Sequence, residues 1–128
     1  MPTAITENIK ISVDAEYQAH SSSPKNNYFT FAYRVIIENK GDYTVQLLRR
    51  RWYIFDSNGT VNEVEGEGVV GLQPVLEPNQ SHQYISGCKL QTDMGYMRGK
   101  YLMVRVVDGI EFEVDIPRFE LISPAKMN

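Results

Sequence analysis

Strict alternation of apolar and polar residues constrains this chain more than any other feature. Ile9, Ile11, Val13, Ala15 and Tyr17 point one way, and Lys10, Ser12, Asp14 and Glu16 point the other. Successive side chains of a β-strand leave opposite faces, so period two marks a half-buried strand. Residues 28–39 repeat the pattern, with Phe29, Phe31, Tyr33, Val35 and Ile37 on one face. Their other face is mixed (Thr30, Ala32, Arg34, Ile36, Glu38), which predicts a central strand. Near the C-terminus, Ile110, Phe112, Val114 and Ile116 alternate with Glu111, Glu113 and Asp115.

Between these runs the chain is punctuated by turns. His20 to Asn27 reads as a polar loop. Asn39-Lys-Gly-Asp42 reads as a hairpin turn, with a partner strand expected over Tyr43 to Phe55. Asp56-Ser-Asn-Gly59 is another turn, and Val61, Val64, Val69 and Val70 suggest a short strand on either side of a bend. A strand follows over His82 to Leu90, then a loop over Gln91 to Gly95 and a strand over Met97 to Val107. Asp108-Gly109 gives a tight hairpin signal. Pro117 is expected to end regular pairing or to mark an edge. Phe119 and Leu121 continue the apolar side, and Ser123 to Asn128 reads as a frayed end. The count is about seven strands with no helical stripe. It predicts an all-β fold, a single antiparallel seven-stranded β-sandwich of fibronectin type III or immunoglobulin type. One domain covers residues 1–128, with an ordered core of about 7–122.

A chain of 128 residues with net charge −3 suits one modest core and does not indicate a nucleic-acid partner. No apolar stretch approaches the ~20 residues needed to span a bilayer, so no membrane role is expected. A single cysteine, Cys88, excludes an internal disulfide framework and fits a reducing compartment. The N-terminus carries no apolar run of signal-peptide type. Together these features predict a cytoplasmic protein.

One motif resembles chemistry. Gly66-x-Gly68-x-x-Gly71 has the spacing of a dinucleotide-binding fingerprint. That fingerprint works only between a buried strand and a helix whose N-terminal amides hold the pyrophosphate. Pro74 and Pro78 leave no room for a helix of useful length. No Lys or Arg lies between Trp52 and Cys88, while Glu63, Glu65, Glu67 and Glu77 do. Those carboxylates repel phosphate. The glycines are therefore read as serving backbone geometry, through bulges or close approach of chains.

Other residues are weighed the same way. Arg49-Arg50-Arg51 is the one cationic cluster, with Arg49 and Arg51 on one strand face and Arg50 on the other beside Trp52 and Ile54. Such a cluster grips phosphate or carboxylate, or else solvates a face while its methylenes cover aromatic neighbours; the second reading is preferred. Glu63, Glu65 and Glu67 share a face if extended, and hard cations prefer oxygen ligands; a solvated acidic edge is the simpler account. Cys88 lacks an evident base, with His20 in a loop and His82 on a strand face as the candidates. Tyr43, Tyr53 and Tyr96 are candidate aromatics for a contact surface.

The run Glu65-Gly-Glu-Gly-Val-Val-Gly-Leu-Gln-Pro74 resembles the hallmark of the ApaG family (DUF525). Phe31 to Asn39 and Val45 to Ile54 resemble its second and third strands. Tyr84 to Gly87, Gly95 to Tyr101 and Phe112 to Phe119 are similar to its C-terminal half. The resemblance implies a fibronectin type III-like sandwich. Bacterial members are named for cobalt and magnesium efflux, and related domains in eukaryotic F-box proteins and a polymerase-delta-interacting protein resemble interaction modules.

The expectation is therefore a non-enzymatic binding module with a protein partner and no cofactor. An exposed edge strand would also allow a homodimer. The alternative is a small-ligand or divalent-cation binder using Gly66, Gly68 and Gly71, with Arg49 and Arg51 for an anion or Glu63, Glu65 and Glu67 for a metal.

Overall fold

A computed structural model describes residues 1–124. Nine strands run in the order β1 Thr3–Thr6, β2 Ile9–Tyr17, β3 Phe29–Asn39, β4 Val45–Asp56, β5 Val61–Glu67, β6 Val75–Leu76, β7 Ser81–Leu90, β8 Met94–Arg105 and β9 Glu111–Ile122. Seven of them are long; β1 has four residues and β6 two. The polar segment after β2 forms two single 3₁₀ turns, Ala19–Ser21 and Pro24–Asn26.

The strands form two antiparallel sheets. One has the order β1-β2-β3-β7; the other has the order β5-β4-β8-β9, with β6 also on β4. This arrangement is the two-sheet sandwich of fibronectin type III kind that the strand count predicts. The alternation of β2 and β3 places its apolar sets inward: Ile9, Ile11, Val13, Phe31, Val35 and Ile37 are all buried. Between the sheets Trp52 is the hub, with edge-to-face contacts to Tyr33 at 5.3 Å, Phe119 at 5.8 Å and Tyr101 at 6.4 Å. Such offset geometries are the favoured ones for aromatic quadrupoles. The Tyr84 and Tyr101 hydroxyls meet across the core, so neither is left without a partner.

Four features differ from the expectation. First, β3 and β4 are not a hairpin. Both edges of β3 are occupied, by β2 and β7, so β4 crosses to the other sheet. Asn39 makes the crossing compact: it is buried and its amide donates to the carbonyls of Tyr43 (2.8 Å) and Leu76 (3.0 Å). Second, the Asp108-Gly109 turn is wide. The Gly109 amide bonds the Arg105 carbonyl, and the Asp108 carboxylate takes Arg105 at 2.6 Å and the Ile110 amide at 3.1 Å. These bonds hold Val106 and Val107 out of the ladder.

Third, of the two roles expected of Pro117, it marks an edge and does not end pairing. It lies within β9, the edge strand of its sheet, at a bulge where Met97 faces Phe119 and Gly99 faces Ile116. A residue without an N–H is tolerated there. The bulge also switches the buried positions of β9 from even (Val114, Ile116) to odd (Phe119, Leu121). Fourth, β8 begins at Met94, inside the expected loop, and Ser123 is buried with its amide on the Asp93 carbonyl. Pro124 is exposed, and the remainder of the expected frayed end, residues 125–128, lies outside the described residues.

One side of the sandwich is closed. The Thr6 hydroxyl of β1 accepts the Asp115 amide of β9 at 3.2 Å, joining the two sheets there. At the other ends of the sheet orders stand β5 and β7, each paired on one edge only.

Candidate functional site

The glycine motif, the arginine triplet and the glutamates converge on one place. Strand β5 pairs with β4 so that Arg49 faces Glu67, Arg50 faces Gly66 and Arg51 faces Glu65. What decides their directions is a bulge at Leu48, where the register between β4 and β8 slips. Before it, odd positions point inward (Val45, Leu47); after it, even positions do, so Trp52 is buried while Arg49 and Arg51 are exposed. A bulge leaves an extra residue outside the ladder. Here the Leu48 carbonyl accepts both the Gly68 amide (2.8 Å) and the Gln73 side chain (3.0 Å).

Arg50 crosses beneath β5. Its Nη1 donates to the carbonyls of Glu67 at 2.9 Å and Gly68 at 3.1 Å. The path is open because its cross-strand partner is Gly66: a Cβ there would stand 2.8 Å from Nη1. Gly68 has φ +60°, and a Cβ on it would overlap the Leu72 carbonyl. Beyond it Val69 and Leu72 close a two-residue turn through reciprocal backbone bonds of 2.7 and 3.0 Å. The central residues Val70 and Gly71 both have positive φ, 46° and 76°. That is the type I′ pattern, for which Asn-Gly is the usual choice. No helix follows, and the Gly68 amide is bonded to the chain itself. The motif thus encodes a passage, a close approach and a turn, not a phosphate cradle. The expected second strand after the bend is reduced to β6, and Val69 is a buried anchor.

The arginines take separate partners. Arg51 bonds Glu65 at 2.6 Å and approaches Glu63 at 3.5 Å. Those hydrogen bonds and the opposite charge hold the Glu65 carboxyl below, and the Arg51 guanidinium above, their ordinary values. Arg49 lines a shallow depression of about 120 Å³ with Arg50, Arg51, Glu65, Lys100, Leu102 and Glu113. Arg49 and Arg51 therefore lie on the face opposite the glycine passage, and Arg50 alone reaches it. Glu63, Glu65 and Glu67 do share one face of β5, but Arg51 occupies two of them. Among the described residues no three His, Cys, Asp or Glu side chains are grouped to hold a metal ion.

Burial and a nearby Asp56 push the Cys88 thiol up to about 11, the opposite of an activated nucleophile. His20 is exposed and His82 half-buried on β7. Of the candidate contact aromatics, Tyr43 is exposed beneath Arg105 at 3.9 Å. Tyr53 and Tyr96 are half-buried under Arg98 and Arg118, at 4.6 and 3.6 Å. Sequence reasoning passed over the apolar tip of the glycine turn: Val70 and Leu72 are 61% and 57% exposed. The signal was available in Val-Val-Gly-Leu, a turn whose tip lacks polar residues.

Fold and site define a fibronectin type III-like β-sandwich carrying a glycine turn locked onto a bulged strand. Residues 19–105 match the family model described as ApaG domain, and the chain belongs to that family. It is 48% identical over 124 residues to Protein ApaG of Brucella abortus, covering 97% of this chain and 95% of that one. It is 49% identical to Protein ApaG of Paramagnetospirillum magneticum over the same shares. The crystal structure of the putative ApaA protein from Bordetella pertussis superposes with TM-score 0.88 at 41% identity, covering 96% of each chain. The resemblance carried by Glu65 to Pro74 is thereby shown.

Proposed function

We propose that this chain is a non-enzymatic protein-interaction module of the cytoplasm and that its contact surface is the glycine turn. The observation that carries this reading is Val70. A β-branched residue at φ +46° is strained, of the order of 1–3 kcal/mol. It is also solvent-exposed, in the same turn as exposed Leu72. Neither strain nor exposure helps the free protein fold. Both are accounted for if a partner covers the tip, and the Leu48 bulge and Arg50 hold that tip rigid, which lowers the ordering cost of binding.

The link to cobalt and magnesium efflux implied by the family resemblance we place at the same surface, as a contact with another protein. No helix among the described residues is long and apolar enough to cross a membrane. The test is affinity capture from bacterial lysate on immobilised wild-type chain and on Val70→Asp and Leu72→Asp variants whose melting temperature is not lowered. A specific protein retained by wild type and lost from both variants supports the reading. Equal retention on all three sinks it.

A further inference from the structure

We propose that the free edge of β5 accepts an extended, basic segment of another protein as an added strand, an inference that rests on reading the domain as a protein-interaction module. The Asp56 amide bonds the Thr60 carbonyl, and the Gly68 amide bonds the Leu48 carbonyl. In an antiparallel ladder, hydrogen-bonded pairs recur at every second residue. With the register Arg50 to Gly66 and Trp52 to Val64, the even residues of β5 therefore spend their backbone groups on β4. The N–H and C=O groups of Val61, Glu63 and Glu65 point away from the sheet. So does the Glu67 amide, whereas the Glu67 carbonyl is taken by Arg50. An unpaired row of this kind is a template for strand addition.

Charge selects the occupant. Glu63, Glu65 and Glu67 alternate along the edge strand, so an added strand meets a carboxylate at every second position, about 5 Å away. Arg51 already holds Glu65 at 2.6 Å and approaches Glu63 at 3.5 Å, so three carboxylates share one bonded guanidinium, and the edge keeps a negative excess centred on Glu67, which makes no ion pair among the described residues. A second copy of this chain is disfavoured: antiparallel pairing of β5 with β5 would set its same-face glutamates against one another. The other edges are less suited to this occupant. Edge β9 is interrupted by Pro117 and joined to β1, and β7 carries only Lys89 as a charged residue. A fitting segment places Lys or Arg over the glutamates, and an apolar residue between them beside Val64, which is 39% exposed.

The test uses the labelled full chain and an acetylated, amidated heptapeptide of alternating lysine and valine, with a glutamate–valine peptide as control. Amide exchange and NMR shifts are followed at Val61, Glu63 and Glu65. The expected result is saturable protection of those three amides by the lysine peptide only, with affinity falling by about tenfold or more on Glu63→Lys or Glu67→Lys. Glu65→Pro removes an outward N–H without touching the β4 ladder and should abolish binding. If that variant does not fold, methylating alternate peptide nitrogens of the ligand blocks the same bonds from the other side. Shifts without protection, or binding that survives these blocks, would overturn the proposal. The two readings fail separately. A lysate partner lost with Val70→Asp but kept by Glu65→Pro leaves the module reading standing and removes the edge as its docking strand. Protection of the edge by the peptide, with no partner dependent on the tip, does the reverse.

Discussion

The guanidinium of Arg50 occupies the space that a side chain at position 66 would need, 2.8 Å from where its Cβ would stand. The two residues are cross-strand partners, and the arginine passes over the glycine to bond two carbonyls on the far side. Gly66 and Arg50 are one device.

That device predicts a coupled pair of substitutions. Gly66→Ala forces the guanidinium off Glu67 and Gly68 and should cost about 1 kcal/mol, the scale of a net hydrogen bond. Arg50→Ala should cost a similar amount. In an Arg50→Ala background the added methyl meets no obstacle, so Gly66→Ala should be nearly neutral. A double-mutant cycle by denaturant unfolding reads the coupling; simple additivity would refute the device.

Val70 carries strain that its neighbours do not require. Val70→Asn keeps the turn and suits positive φ, and the side chain it removes is 61% exposed. The expectation is stabilisation by about 1 kcal/mol, measured as a raised unfolding midpoint. Unchanged stability would mean the turn is not strained.

The hydroxyls of Tyr84 and Tyr101 satisfy one another in the core. Tyr84→Phe leaves the fully buried Tyr101 hydroxyl without a partner and should cost about 1–3 kcal/mol. Removing both hydroxyls should cost less than the sum of the single changes. Equal additive losses in thermal unfolding would contradict the pairing.

Cys88 gives a pH signature. Burial raises its thiol from the ordinary 9.0 to about 11. Between those values the unfolded state binds fewer protons than the folded state, so stability falls as pH rises through this window. Cys88→Ala should remove that part of the alkaline loss. Reaction with a disulfide reagent at pH 8 should be far slower in the native than in the unfolded chain. Equal rates would show an accessible thiolate.

Much of this molecule was legible in the order of its residues. Alternation is local, so β2, β3 and the apolar face of β9 could be read directly, as could the parity that sets Arg50 apart from Arg49 and Arg51. Two prolines after the glycines excluded a phosphate-binding helix, because proline acts on its own chain neighbours. The partnership of strands was not local. Asn39-Lys-Gly-Asp42 is good hairpin chemistry, yet β3 already had β2 and β7 on its edges, and only their packing sends β4 to the second sheet. The Leu48 bulge was equally hidden: it exists because the Gly68 amide and the Gln73 side chain, far along the chain, satisfy one carbonyl. The sequence by itself determined the long strands β2, β3 and β9, their apolar faces, and that no phosphate-binding helix follows the glycines. Tertiary structure decided what they are geometric for, because a passage needs an arginine to pass through it, and that arginine comes from another strand.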